Sequence, residues 1–189
     1  MTSKDAMRIR AWLVLAAAFA FALAPFVFPG FDGYPAQAFP VPQYEPPIQP
    51  AGWAFAIWGP IYLWLLISGA AGISSRPLRP EWDAVRLPLI ASLVIGIAWL
   101  PMAAVAPVLA TVMIWAMLGA ALVALRRCPA RDRWLLRAPV AVYAGWLTAA
   151  AFVALGTVLG GYGIGSGSTV AAVLLPLAAL LAGAVQWRL

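Results

Sequence analysis

The chain has 189 residues, 65% of them apolar and only 10% charged, with a mean hydropathy of +0.93. A soluble domain carries about 25% charged residues, so this chain lacks a surface for water and reads as an integral membrane protein. With no His and a single cysteine, Cys128, it excludes imidazole ligation of haem or metal, His general bases, an internal disulfide and a thiolate metal site.

Uncharged runs mark the elements in chain order, since a spanning helix needs about 20 apolar residues. The first, about 11–29, follows Lys4, Arg8 and Arg10. A signal peptide opens the same way, but this run is longer than a usual signal core. No convincing cleavage site precedes Pro25, so it reads as a retained span. A Pro- and aromatic-rich loop of about 30–49 holds Asp32 and Glu45. A second span covers about 50–73, and a cluster of Arg76, Arg79, Glu81, Asp83 and Arg86 follows. Pro107 splits the next uncharged run into spans of about 87–105 and 108–125, because proline suits a first helical turn. After Arg126, Arg127, Arg131, Asp132, Arg133 and Arg137 come spans of about 138–158 and 168–187.

The fold class is therefore all-α, a polytopic helical bundle of about six membrane-spanning helices in one domain. All 12 Lys and Arg fall on one side of it, and only Asp32 and Glu45 fall on the other. The positive-inside rule makes the basic side cytoplasmic. Both termini are expected inside, in a bacterial inner membrane. The net charge of +6 thus reports orientation in the lipid bilayer, with no nucleic-acid partner expected.

No expected span contains Asp, Glu, Lys, Arg or His. Intramembrane charges are costly and are kept for function, so their absence argues against proton pumps, ion-coupled transporters and voltage sensors. No nucleophile sits beside a base or a metal set, so the chain is expected to be non-enzymatic, without catalytic residues, metal or resident cofactor. Close packing is expected at Ser68/Gly72, Ser92/Gly96 and Gly156/Gly160, which are small-xxx-small pairs. Pro60, Pro101 and Pro176 are expected to kink their spans.

There are ten Trp. Interfacial belts account for Trp12, Trp53, Trp82, Trp134 and Trp187. Trp58, Trp64, Trp99, Trp115 and Trp146 fall deeper, where they either pack the core or line an aromatic pocket. Phe55, Trp58 and Tyr62 share a helix face at i, i+3, i+7, and Tyr143 and Trp146 are at i, i+3. The loop, with Pro35, Pro40, Pro42, Pro46 and Pro47 among Phe31, Tyr34, Phe39 and Tyr44, is either a semi-rigid lid over that pocket or an extended polyproline spacer.

The segment Pro50-Ala-Gly-Trp53-Ala-Phe55-Ala-Ile-Trp58-Gly-Pro-Ile-Tyr62, followed by Trp99-Leu-Pro101, Trp115, and Pro139 with Tyr143 and Trp146, resembles the TspO/MBR family, the tryptophan-rich sensory proteins related to the translocator protein. The likeness covers about residues 11–158. It implies a five-helix core at 1–158, with 168–187 as an additional helix packed on the same domain. It further implies a receptor or carrier that binds a flat hydrophobic ligand, a porphyrin or other tetrapyrrole or a sterol- or isoprenoid-like lipid, in an aromatic pocket beneath the loop. Trp53, Phe55, Trp58, Tyr62, Trp99, Tyr143 and Trp146 would line it. Homodimers are common in the family, so a homodimer is part of that expectation. Gly96 and Ala154 stand where the family often has Asn. The other reading is a structural or assembly subunit of a larger membrane complex, without a ligand of its own.

Overall fold

The computed structural model describes residues 2–28, 33–34, 36–44 and 46–187, apart from the side chains of Ala36, Gln186 and Trp187. Phe31, Asp32, Pro35, Glu45 and Arg188 therefore lie outside the described residues. Six helices are long and apolar enough to cross a membrane. They are α1 (Ser3–Val27), α2 (Trp58–Ser74), α3 (Pro80–Val105), α4 (Pro107–Arg126), α5 (Ala138–Gly161) and α6 (Gly167–Trp187). Five of them close a ring in the order α1–α2–α5–α4–α3, with α3 back against α1, and α6 leans on the outside of α5. The thinnest join in the ring is α2 against α5. The chain is an integral membrane protein of all-α class.

Helix ends depart from the ends of the apolar runs, for local reasons. Thr2 and Asp5 form a reciprocal capping box, which satisfies orphan N–H groups and starts α1 at Ser3. The charged segment Lys4 to Arg10 is thus already helical. Pro80 opens α3 as a first-turn proline, with Glu81 and Asp83 in that turn, where the helix dipole favours acids. Pro107 opens α4 as expected. Pro60 does not kink a span: α2 begins at Trp58 after a 3₁₀ segment, Gly52–Ile57, so Pro60 sits in a first turn that needs no N–H from it. Pro101 and Pro176 do lie inside α3 and α6. A short π-helix, Arg133–Arg137, leads into α5. Between α5 and α6 the chain turns through Gly163 and Gly165 at positive φ, and the Ser166 hydroxyl accepts from the Thr169 N–H at 3.2 Å to start α6.

Lipid tails are as apolar as leucine, so close packing and hydrogen bonds bring these helices together. Small residues supply the packing. A Cβ on Gly69 would sit 3.1 Å from the Leu15 Cα, so α1 and α2 touch backbone to backbone there. Gly72 receives the ring of Trp82, and Gly156 the side chains of Ile48 and Leu174. Ser68 and Ser92 are buried as well.

The helices run past the uncharged spans and take charged residues with them at the basic end. Because α3 starts at Pro80, Arg86 lies in its second turn and is only 3% exposed. It donates to the carbonyls of Met7 at 2.8 Å, Arg76 at 2.9 Å, Pro77 at 3.0 Å and Gly72 at 3.4 Å, and to Asp83 at 3.2 Å. The last carbonyls of a helix are electron-rich and lack intrahelical partners; Arg86 takes that of Gly72 at the end of α2 and two in the connection after it, while reaching α1. Arg10 holds both carboxylate oxygens of Asp83, donating from Nε at 2.8 Å and from Nη2 at 2.5 Å. Trp82 is buried within the protein, and its Nε1 donates to Asp132 at 2.7 Å. Arg76 also binds Asp132, at 3.3 Å. These bonds, led by the Trp82 one, hold the Asp132 carboxyl below its ordinary value. The end of the bundle rich in Lys and Arg is thereby laced together.

Candidate functional site

At the opposite end the ring encloses aromatic space. Phe21 on α1 is its hub. This ring is buried and meets Tyr62 at 5.2 Å, Trp58 at 5.7 Å and Tyr143 at 5.9 Å, each edge to face. Trp58 and Tyr62, one turn apart on α2, stack at 5.4 Å with planes 16° apart. Trp146 on α5 stands edge-on to Trp58 at 6.1 Å and to Phe55 at 6.3 Å. Edge-to-face pairs of this spacing are the favoured aromatic geometry. They cross the thin α2–α5 join.

Two cavities flank this wall. The inner one, about 230 Å³, is bounded by Phe21, Pro25, Tyr62, Gly96, Met117 and Leu147. The outer one, about 360 Å³, lies beneath the loop and is bounded by Tyr34, Ile48, Gln49, Trp146, Val153 and Leu175. Phe55, Trp58, Trp99 and Ile114 line both. Trp99 is fixed by its Nε1, which donates to the Ala110 carbonyl of α4 at 3.0 Å. Gly96 explains how Phe21 and Met117 come so close. A Cβ there would lie 2.6 Å from the Phe21 ring and 2.9 Å from the Met117 methyl, so the larger Asn of the resemblance has no room.

The described part of the loop is packed and not an extended spacer. Phe39 is buried against Gly161 and stands edge-on to Tyr34 at 5.4 Å and Tyr162 at 6.3 Å. The Val41 N–H donates to the Gly161 carbonyl at 2.9 Å. Ile48 is buried among Phe152, Val170 and Leu174, so α6 helps to hold the loop. Burial pushes the Tyr34 hydroxyl up to about 12.

Of the seven residues singled out in the sequence, five border the cavities: Phe55, Trp58, Tyr62, Trp99 and Trp146. Tyr143 stands one layer behind. It is fully buried, and its hydroxyl lies 2.9 Å from Ser92 Oγ. Ser92 Oγ donates to the Met117 carbonyl at 2.8 Å, so its single proton is used and Tyr143 is the donor to it. The chain of bonds joins α5, α3 and α4. Trp53 is 82% exposed and lines neither cavity. Sequence reasoning missed Phe21, Ile114, Met117, Ile48 and Leu175. Of the other deep tryptophans, Trp115 packs on Phe152 at 5.1 Å. Trp64 stacks on exposed Trp134 and donates to its carbonyl at 2.8 Å. Among the described residues, no three His, Cys, Asp or Glu side chains converge to hold a metal.

A sequence model of the family described as TSPO-like protein matches residues 8–189. The chain belongs to the TSPO-like proteins. The matched range runs through α6, beyond the 11–158 that carry the resemblance in the sequence. No curated protein and no solved structure matches the chain. In this TSPO-like chain, the aromatic wall and both cavities lie within the matched range.

Proposed function

We propose that this protein is a non-enzymatic membrane receptor or carrier for a flat hydrophobic ligand, a tetrapyrrole or a sterol- or isoprenoid-like lipid, taken up in the aromatic cavities beneath the loop. The observation that carries this reading is the shared wall of Phe55, Trp58, Trp99 and Ile114, with apolar space on both sides and a packed loop above. Flat rings stack on such walls, and burying apolar area contributes roughly 25 cal/mol per Å². Concave, mostly apolar sites with few polar groups suit small molecules. Ligand contacts are assigned to Phe55, Trp58, Tyr62, Trp99 and Trp146. Tyr143 acts by holding the wall, and Trp53 is left as a contact with the bilayer.

The proposed setting is a bacterial cytoplasmic membrane with both termini inside, and the proposed state is a homodimer. The second reading, an assembly subunit, draws on α6. Val173, Leu177 and Leu180 are exposed along one face of it, a surface that a partner helix could cover as well as lipid does.

The test is tryptophan fluorescence of the protein in nanodiscs, titrated with mesoporphyrin IX dimethyl ester as a flat apolar probe. Saturable quenching that weakens in a Trp58→Phe, Trp146→Phe variant is expected. Linear quenching, equal in both proteins, would mean partition into lipid and would favour the assembly subunit.

A further inference from the structure

The basic end of the bundle has a cavity of its own. A cleft of about 230 Å³ lies between the α2–α3 and α4–α5 connections, bounded by Arg76, Arg79, Glu81, Pro129, Arg131 and Asp132. One side of it is fixed. Asp132 takes the Trp82 indole N–H on one oxygen at 2.7 Å, and the Arg76 guanidinium on both oxygens at 3.3 Å. That carboxylate is therefore already used. Arg79 and Arg131, both exposed, form no ion pair among the described residues, and neither does exposed Glu81. Three guanidiniums thus share one cleft with two carboxylates, a surplus of positive charge. Like charges held this close repel, and an oxyanion between them removes that cost. The planar guanidinium fork matches phosphate oxygens two N–H groups at a time.

The surroundings point to the occupant. Trp134, two residues beyond Asp132, is 75% exposed and stacks on Trp64 at 6.2 Å. An indole presented this way favours the depth of lipid headgroups, which puts the neighbouring cleft at the level of lipid phosphates. Glu81 then has a use in a site for anions. An ionised carboxylate only accepts hydrogen bonds, so it suits a hydroxyl and not a phosphate oxygen.

We propose that this cleft is a lipid site: Arg79 and Arg131 hold the phosphate of an anionic lipid, and Glu81 accepts from a hydroxyl of its headgroup alcohol. The cleft shares no residue with the aromatic cavities, so the proposal stands apart from the receptor reading.

Three dioleoyl lipids separate the terms. Phosphatidylglycerol has the anionic phosphate and hydroxyls, phosphatidylmethanol has the same charge without hydroxyls, and phosphatidylcholine is zwitterionic. Each is titrated into the full chain in detergent, and bound lipid is counted by native mass spectrometry. Phosphatidylglycerol is expected to bind one site about tenfold tighter than phosphatidylcholine and about threefold tighter than phosphatidylmethanol, the margins of one charged and one ordinary hydrogen bond. Arg79→Gln with Arg131→Gln should reduce phosphatidylglycerol to the level of phosphatidylcholine. Arg8→Gln with Arg126→Gln removes as much charge from the same end outside the cleft, and should leave the preference intact. All four side chains are exposed, so both variants should fold. Equal losses in the two variants, or no preference in the native protein, would overturn the site. Glu81→Ala should erase the margin over phosphatidylmethanol; an unchanged margin would remove the hydroxyl contact. Glycerol phosphate that displaces the lipid at equal concentration would overturn the lipid as occupant in favour of a soluble phosphate ester.

Discussion

Tyr143 and Ser92 show what one hydroxyl does in a wall otherwise made of rings. Tyr143 donates to Ser92, and Ser92 donates to the Met117 carbonyl. Hydrogen bonds between membrane helices average about 0.6 kcal/mol, so Tyr143→Phe is expected to cost about that much. Ser92→Ala should cost more, about 1–3 kcal/mol, since it strands the Tyr143 hydroxyl in a dry interior. Unfolding of the two variants in detergent checks the order, and a Tyr143→Phe protein less stable than Ser92→Ala would contradict it. The spacing of Phe55, Trp58, Tyr62 and Trp146 was visible in the sequence, because few residue types but aromatics interrupt these spans. Phe21 was not. Every residue of α1 from Ala11 to Val27 is apolar or Pro, so no polar contrast marks its inward face. Trp53 entered the set through the family resemblance alone, and no spacing argument marked it; it stands exposed in the 3₁₀ segment that also carries Phe55.

The ionic lacing at the basic end belongs to the scale of elements. Arg86 serves the end of α2, the start of α1 and the connection to α3 together. Removing only its carboxylate partner leaves a buried cation uncompensated, which costs about 3–5 kcal/mol. Asp83→Asn is therefore expected to be severely destabilising, and Arg86→Met more so, since it also strands the carbonyls of Met7, Gly72, Arg76 and Pro77. Thermal unfolding of the native protein and the two variants tests this; an Arg86→Met protein more stable than Asp83→Asn would refute it. Asp132 adds a pH dependence. Its folded pKa lies below the ordinary 3.8, so its contribution is complete above that value and fades as pH falls through the lowered one. Asp132→Asn should be less stable than the native protein by about 1 kcal/mol at pH 7. The difference should shrink below pH 4. Uncharged runs told where the chain crosses lipid. They could not tell where helices end, because a capping box at Thr2 and a first-turn Pro80 extend α1 and α3 past the apolar boundary.

At the scale of the whole molecule, the count of six spans and the split of charge were legible from sequence, and the ring order was not. Sequence neighbours need not be ring neighbours: α2 and α3 share a short connection but do not sit side by side in the ring, while α1 meets α3 and α2 meets α5. Which helices meet depends on which faces carry small residues and rings, and that is a matter of three-dimensional fit. An even number of crossings puts both termini on one side, and the basic residues predict that side to be the cytoplasm. A reporter fused after Leu189 should therefore be active only as a cytoplasmic reporter; activity of a periplasmic one would reverse the orientation. The ring order also has a consequence for synthesis. The neighbour of α2 across the cavity is α5, which the ribosome makes only after α3 and α4. Until then the stacked faces of Trp58 and Tyr62 have no α5 to stand against, and lipid must solvate them. A nascent chain halted at Arg126 would carry four inserted helices and an open groove. The binding chamber is thus born late, with the arrival of Trp146.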